Sequence, residues 1–346
     1  GEGEGKRKKK KAGAGEKGDG RGSGSADDDD SNPWSPPPTA APIPAPSILF
    51  LGTGSSQPSP HRNVSSTLVS LDASTSLLLD CGEGTVAQLL AVADAAALGK
   101  VKIVWISHPH ADHCMGLRDF LRRRATVADD VVTVVCPKGV GWWLEGEDCR
   151  VIGCERFVDG KGEAEGMEFL TRFKSVKVKH CLDSYALAFE GPGWGKFLYS
   201  GDCRPSADLA AVGKAWGGVD VLLHEATFED ELAAEAKAKK HSTVKEAMTI
   251  GKEAGAKHTV LTHFSQRYPG LPAVEDEGEG CVVAWDWMLV TPENIDGAKG
   301  ELYKKLKPYF AEEAEPLEDD LKVGDEDVRK ILEEPGGFTQ LAKGCK

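Results

Sequence analysis

Within six residues, His108-Pro109-His110-Ala111-Asp112-His113, four side chains able to bind a metal follow directly on the apolar run Val101 to Ile106. Side chains alternate along an extended backbone, so His108 and His110 can point the same way. Asp112 and His113 stand where the chain turns back into a helix. Imidazole nitrogen and carboxylate oxygen suit Zn²⁺, and a segment this dense can serve two neighbouring ions. Three of the nine histidines at one strand end are poorly explained as a surface accident. Further donors close other predicted strands: His180 after Val176 and Val178, Asp202 after Leu198 to Gly201, and His263 after Thr259 to Thr262. Singly, each more often caps a turn or fills a hydrogen-bonded core position; with the cluster they make seven donors. A carboxylate such as Asp202 can bridge two cations about 3.5–4 Å apart, the spacing of two-metal hydrolytic centres. Asp80, also at a strand end, can orient a ligand imidazole or merely shape the turn before Gly82.

Elements must bring these donors together. Hydrophobic patterning predicts strands at 47–51, 76–80, 101–106, 131–136, 168–178, 184–190, 196–200, 219–223 and 258–262. Helices are expected at 83–98, 114–124, 229–240 and 243–254, with one more around 301–307. Strands and helices alternate, with some strands consecutive. That points to an α/β fold of layered mixed sheets rather than one doubly wound parallel sheet.

The chain has 346 residues, of which 40% are apolar, enough for a core and too many for wholesale disorder. Its net charge is −13, with residues 1–46 neutral and residues 271–346 carrying −10, so the middle is nearly neutral and local basic patches can still meet a polyanion. The longest apolar stretch, Val86 to Leu98, contains Asp94 and is too short to span a bilayer. No apolar segment of the kind that directs secretion opens the chain. Nine cysteines, an odd number without any Cys-x-x-Cys pair, argue for reduced thiols over a disulfide scaffold or zinc ribbon. Residues 1–46 read as a charged, Pro-rich disordered leader and linker, 47–300 as the catalytic domain, and 301–346 as an acidic tail, partly helical or disordered; beyond 271 the sequence looks irregular. The run Lys6 to Lys11 is either a nuclear address or a solvated low-complexity stretch.

More specific stretches sharpen the picture. Leu51-Gly52-Thr53-Gly54-Ser55, Arg62-Asn63-Val64-Ser65, Leu78-Leu79-Asp80-Cys81-Gly82-Glu83-Gly84, Ser200-Gly201-Asp202, His224-Glu225-Ala226-Thr227, His241-Ser242-Thr243 and His263-Phe264-Ser265-Gln266-Arg267-Tyr268 accompany the histidine cluster. Together, over roughly 47–269, they resemble the tRNase Z family of tRNA 3′-processing endoribonucleases, within the metallo-β-lactamase superfamily. The resemblance implies a four-layer αββα fold and zinc-dependent removal of the 3′ trailer from precursor tRNA. It implies two zinc ions per chain, one held by His108, His110, His180 and Asp202, the other by Asp112, His113, Asp202 and His263. Asp112 would also orient the attacking water, and Glu225 with His241 would donate the leaving-group proton. Alternatively, His241 is a residue beside a helix cap made by Ser242 or Thr243.

The interval from His180 to Asp202 leaves no room for the tRNA-grasping arm of the short family members. The chain therefore looks like the carboxy-terminal half of the long form, a fragment or processed chain whose amino-terminal half would carry the arm. Arg62 and Arg267, inside the resembling motifs, are the favoured RNA contacts; Arg122 to Arg124, Lys174, Lys177, Lys179, Lys237, Lys239, Lys240 and the Gly52–Ser55 loop are weaker candidates. Cys181 and Cys203 read as small core residues, and Trp142 and Trp143 as packing residues that could stack on a base. The expected compartment is nucleus or mitochondrion, with plastid open. Two alternatives remain: another hydrolase of the same fold, acting on a phosphodiester or thioester, and a non-catalytic RNA-binding half.

Overall fold

In the first strand, β1 (Ser47–Gly52), every residue is buried and the period of two sorts the side chains. Ile48 and Phe50 enter one hydrophobic cluster, Leu49 and Leu51 another. The structure, a computed structural model, describes residues 42–160, 166–267, 280–300 and the single residues 272, 274 and 304.

The chain continues through β2 (Ser66–Ser70), β3 (Ser76–Leu79), α1 (Thr85–Leu90), α2 (Ala96–Lys100), β4 (Val101–Trp105), α3 (Ala111–Cys114), α4 (Leu117–Arg124), β5 (Thr133–Cys136), α5 (Lys138–Trp143) and β6 (Arg150–Gly153). The second half contains β7 (Arg172–Lys177), β8 (Tyr185–Gly191), β9 (Gly195–Tyr199), α6 (Ala207–Ala215), β10 (Val219–Glu225), α7 (Ala233–Lys239), α8 (Val244–Ala254), β11 (Ala256–Thr262), β12 (Val282–Val283) and β13 (Leu289–Val290). A seven-stranded sheet runs β13-β1-β2-β3-β4-β5-β6, and a six-stranded sheet β12-β11-β10-β9-β8-β7. Both are mixed: β3 through β6 and β9 through β12 pair parallel, the remaining pairs antiparallel.

Trp105, Leu77 and Val135 of the first sheet meet Phe189, Phe197 and Leu223 of the second in one core. On the outer face of the first sheet Leu78, Val104 and Val134 pack under Leu89, Phe120 and Val140 of α1, α4 and α5. On the outer face of the second, Ala186, Leu198 and Leu222 pack under Leu209 and Ile250 of α6 and α8. The result is the expected four layers, αββα.

Several sequence expectations need correction. The helix foreseen at 83–98 is two short helices, parted around Asp94, a residue that favours turns over helix interiors. The helix foreseen at 114–124 is broken at Met115-Gly116, where Gly116 N–H bonds Cys81 O and a Cβ on Gly116 would lie 2.0 Å from Gly82 O. The chain beyond 271 is not simply irregular: β12 and β13 add one strand to each sheet. β2, with three hydroxyl residues in five, and the Ala- and Gly-rich α6 lacked a readable apolar pattern. The leader, most of the tail and Tyr268 lie outside the described residues; of the helix foreseen at 301–307 only Lys304 is described, and it is helical.

Candidate metal centre

The carboxyl ends of strands from both sheets meet at one rim. β4 delivers Ser107, His108 and His110; β3 ends at Asp80; β7 leads to His180; β9 leads to Asp202; β10 ends at Glu225; β11 leads to His263. The backbone is strained there. Of five non-glycine residues with positive φ among those described, Asp80 (56°), His263 (62°), Lys240 (62°) and Ser56 (67°) all touch this site. Such strain persists only where surroundings enforce it, as they do at functional sites.

All seven predicted donors converge. His110 Nδ1 lies 2.9 Å from His108 Nε2 and 3.1 Å from His180 Nε2. Asp202 Oδ2 stands 3.6 Å from His108 Nε2 and 3.8 Å from His180 Nε2. In the adjoining group His113 Nε2 and His263 Nε2 are 3.2 Å apart, and each is 3.5 Å from Asp112 Oδ2. Asp202 reaches this group too, its Oδ2 3.3 Å from His113 Nε2 and its Oδ1 3.3 Å from His263 Nε2. Two ligand nitrogens on one tetrahedral zinc, each about 2.0–2.1 Å from it, stand roughly 3.3–3.4 Å apart. The observed separations scatter around that value.

Outer partners decide which nitrogens face inward. Lys240 O accepts from His180 Nδ1 (3.1 Å), and buried Asp80 Oδ2 from His113 Nδ1 (2.7 Å). Both rings therefore carry their proton outward and turn a bare Nε2 lone pair into the pocket. Thr227 Oγ1 gives its proton to Glu225 Oε2 (2.6 Å), so it accepts from His263 Nδ1 (2.8 Å), with the same consequence. Lone pairs aimed at one another and a buried Asp202 Oδ1 without a hydrogen-bond partner fit a cation between them. The donor set fits a metal cofactor. Burial works against charge on His113, yet the carboxylates of Asp202, Asp112 and Asp80 raise its pKa well above the usual imidazole range, so Nε2 carries a proton wherever no metal ion takes that place. His108, His113, His180, Asp202 and His263 are buried, whereas His110 is exposed and Asp112 half-buried, so the centre opens on that side.

Beside the donors sits a second assembly. Glu225, fully buried, accepts from Cys203 N (2.8 Å) and His241 Nδ1 (2.9 Å) through Oε1, and from Thr227 N, Thr227 Oγ1 and Ser242 N through Oε2. Burial opposes ionisation of Glu225, but His241 keeps its pKa below the ordinary value. Burial likewise opposes charge on His241; Glu225, by charge and hydrogen bond, and Asp202 lift it to about 9. Thr243 caps α8 in a capping box with Glu246, so the cap reading of this stretch holds without displacing His241 from the site.

Other expectations fare differently. Arg62 is not placed to contact RNA: it is 2% exposed, its Nη1 donates to Thr53 Oγ1 (2.7 Å) and Ala284 O (2.9 Å), and its guanidinium stacks on Phe264. Arg124 is also buried, bonded to Val101 O and Asp130. Arg267 lies on the surface, 3.3 Å from Glu235. The Gly52–Ser55 loop is packed against chain rather than open to a phosphate, since a Cβ on Gly52 would lie 1.8 Å from Val64 O; just beyond it Ser56 N–H donates to Asp112 Oδ2 (2.7 Å). Cys203 is a core residue, but Cys181 is half-buried against Ser184. Trp142 is exposed under Lys138, and Trp143 packs on the helix layer beneath Arg118. Residues 182–200 are taken up by the β8–β9 hairpin and its flanks, consistent with the missing arm. Sequence reasoning did not foresee Ser107, Tyr199, Thr227 or Asp286. The first two, with His113, fill the Asp80 carboxylate. Thr227 alone was signalled, as the last residue of a quoted motif.

Residues 75–264 match a beta-lactamase superfamily domain. The chain is 34% identical to an Arabidopsis thaliana protein named "tRNAse Z TRZ4, mitochondrial", over 75% of this chain and 35% of the relative. It is 37% identical to "Ribonuclease Z, mitochondrial" of Drosophila melanogaster, over 78% of this chain and 38% of the relative. The chain thus spans little more than a third of the length of these relatives. A crystal structure of a long-form RNase Z from yeast superposes with a TM-score of 0.67 at 28% identity, covering 76% of this chain and 43% of that one.

Proposed function

The chain belongs to the β-lactamase superfamily, and on that premise we propose that it is a zinc-dependent endoribonuclease that removes the 3′ trailer of precursor tRNA. The observation that carries this reading is the juxtaposition, beside seven convergent donors, of a buried carboxylate and an imidazole 2.9 Å apart. A hydrolase acting on a good leaving group has no use for that pair. Cleavage of an RNA chain does, because the departing ribose 3′ oxygen is a poor leaving group that needs a proton.

His108, His110, His180 and Asp202 would hold one zinc, and Asp112, His113 and His263, sharing Asp202, the other. Bound there, the two ions would lower the pKa of water toward neutrality and neutralise charge on the phosphoryl oxygens. Ser56 N–H fixes the Asp112 carboxylate, which would orient the attacking water or accept its proton. Glu225 holds His241 Nδ1–H, leaving Nε2–H to protonate the 3′ oxygen as the P–O3′ bond breaks. The tRNA then ends in a 3′-hydroxyl and the trailer begins with a 5′-phosphate. Arg267 is a surface contact for the RNA backbone.

We assign residues 47–300 to the catalytic domain, and an amino-terminal half bearing the tRNA-grasping arm as its partner. Both relatives are named as mitochondrial, which supports that compartment; the nuclear alternative rests on Lys6 to Lys11, outside the described residues. Among the described residues no helix is long and apolar enough to cross a membrane.

Incubating the purified chain with a precursor tRNA tests the reading. Cleavage releasing a trailer with a 5′-phosphate is expected, abolished by chelator and restored by zinc. An intact precursor in the presence of zinc, with a bound metal verified by elemental analysis, would rule the reading out.

A further inference from the structure

Arg204 follows Asp202 by two residues, and the chemistry above gives it no role. Its side chain is 18% exposed, so it is largely withdrawn from solvent. Its backbone N–H donates to Lys179 O (3.0 Å), immediately before His180. Its guanidinium forks onto Glu246, with Nη1 on Oε2 at 2.8 Å and Nη2 on Oε1, and Nη1 also donates to the carbonyl oxygen of His241. A two-pronged fork with a third bond to backbone fixes geometry in a way that a single charge contact does not.

The turn that Arg204 grips is 240–243, and three of its polar groups, Lys240 O, the His241 ring and Ser242 N–H, face the site. Lys240, held at φ 62°, presents its carbonyl to His180 Nδ1. Ser242 N–H reaches Glu225, and its Oγ donates to Cys203 O (2.6 Å). Thr243 N–H donates to Glu246 Oε2 (3.0 Å), closing the cap of α8 on the carboxylate that Arg204 also binds. His241 thus has its ring tied to Glu225 and its carbonyl tied to Arg204. Forked onto Glu246 and largely withdrawn from solvent, this guanidinium is also ill suited to anchor an RNA phosphate.

We propose that Arg204 is the positioning residue of His241, clamping the 240–243 turn so that the imidazole stays aligned with the leaving oxygen. The inference rests on the reading of His241 as proton donor. Arg204 touches neither substrate nor the donor cluster with its side chain; it acts through the backbone of the turn.

Arg204→Lys keeps the charge and loses the fork. With the zinc-loaded full chain, kcat on precursor tRNA should fall on the order of 10- to 100-fold, as small misplacements of a reacting group do, with KM unchanged. Hydrolysis of bis(p-nitrophenyl) phosphate, whose leaving group needs no proton, and metal content should stay at wild-type values. In a His241→Ala background Arg204→Lys should cost nothing further, because the two act as one unit. Glu246→Gln, which weakens the fork from the other side, should repeat the pattern in milder form and decides the matter if Arg204→Lys fails to fold. A rise in KM alone would make Arg204 a phosphate contact. Equal losses on both substrates, lost metal, or losses that multiply with His241→Ala would make it merely structural. Any of these overturns the proposal. A wild-type chain inert on precursor tRNA but active on bis(p-nitrophenyl) phosphate would overturn the functional reading alone; the same comparison is then made with an RNA dinucleotide in place of the precursor.

Discussion

Burial alone would lower the pKa of the His241 imidazole; Glu225 and Asp202 reverse that and lift it to about 9. The sign gives a test. A raised pKa keeps the acid form populated through neutrality and loses it as pH rises past the raised value, so precursor cleavage should hold through neutrality and decline on the alkaline side. His241→Ala should cost roughly 10²–10⁴-fold on the precursor, the usual contribution of general acid catalysis, and abolish the alkaline decline. Bis(p-nitrophenyl) phosphate should show neither effect, and equal losses on both substrates would count against proton donation by His241. The donors themselves were legible in the sequence because histidine and aspartate at strand ends have few other reasons to cluster. Arg62 was misread for the opposite reason. Arginine is ordinarily a surface residue, and nothing in its neighbours announced that Thr53, Ala284 and Phe264 would enclose it. Asp80 was readable as either an orienting or a turn residue. The structure gives it both parts, since it has positive φ and also takes His113 Nδ1–H.

The turns between strands and helices position the donors more tightly than the strands do. Gly82, after β3, lies so close to α3, which carries Asp112, that an added Cβ would be 2.3 Å from Asp112 O and 2.6 Å from Val64 Cγ2. Gly116, which divides α3 from α4, is pressed in turn against Gly82 O. Backbone on backbone cannot yield as a flexible side chain can. Gly82→Ala should therefore cost about 1–3 kcal/mol, the range for overpacking, and also weaken metal retention, because the displaced segment carries Asp112 and His113. Thermal unfolding and elemental analysis would show it; normal values of both would mean that the close approach has slack. Long apolar strands such as β4 and β11 were foreseen because period and composition agree. The break at Gly116 was not, because it depends on Cys81 and Gly82, distant in sequence.

Both sheets are completed by a segment that sequence reasoning left without a role. β12 pairs with β11 and β13 with β1, so residues 280–300 close one edge of each sheet. Between those strands Asp286 gathers the front of the molecule: Oδ1 accepts from Thr53 N (2.9 Å) and Thr53 Oγ1 (2.7 Å), Oδ2 from Asn63 N (2.6 Å) and Gln88 Nε2 (2.9 Å). Burial pushes its pKa up, and those donors together with the Arg62 guanidinium pull it back only in part. A lone acid in an acidic stretch gives no hint of this, since its partners lie 198 to 233 residues away. The loop it holds, 53 to 56, is the one whose Ser56 N–H orients Asp112. Asp286→Ala should leave several donors and the buried Arg62 charge without their partner. A single such buried group costs about 1–3 kcal/mol, and the loss should reach the upper end of that range or exceed it. Urea denaturation should show a lower midpoint with the slope unchanged, and the folded variant should bind metal less tightly through a looser Asp112. A midpoint and a metal affinity both within error of wild type would show that the 53–63 loop holds its shape without the Asp286 carboxylate.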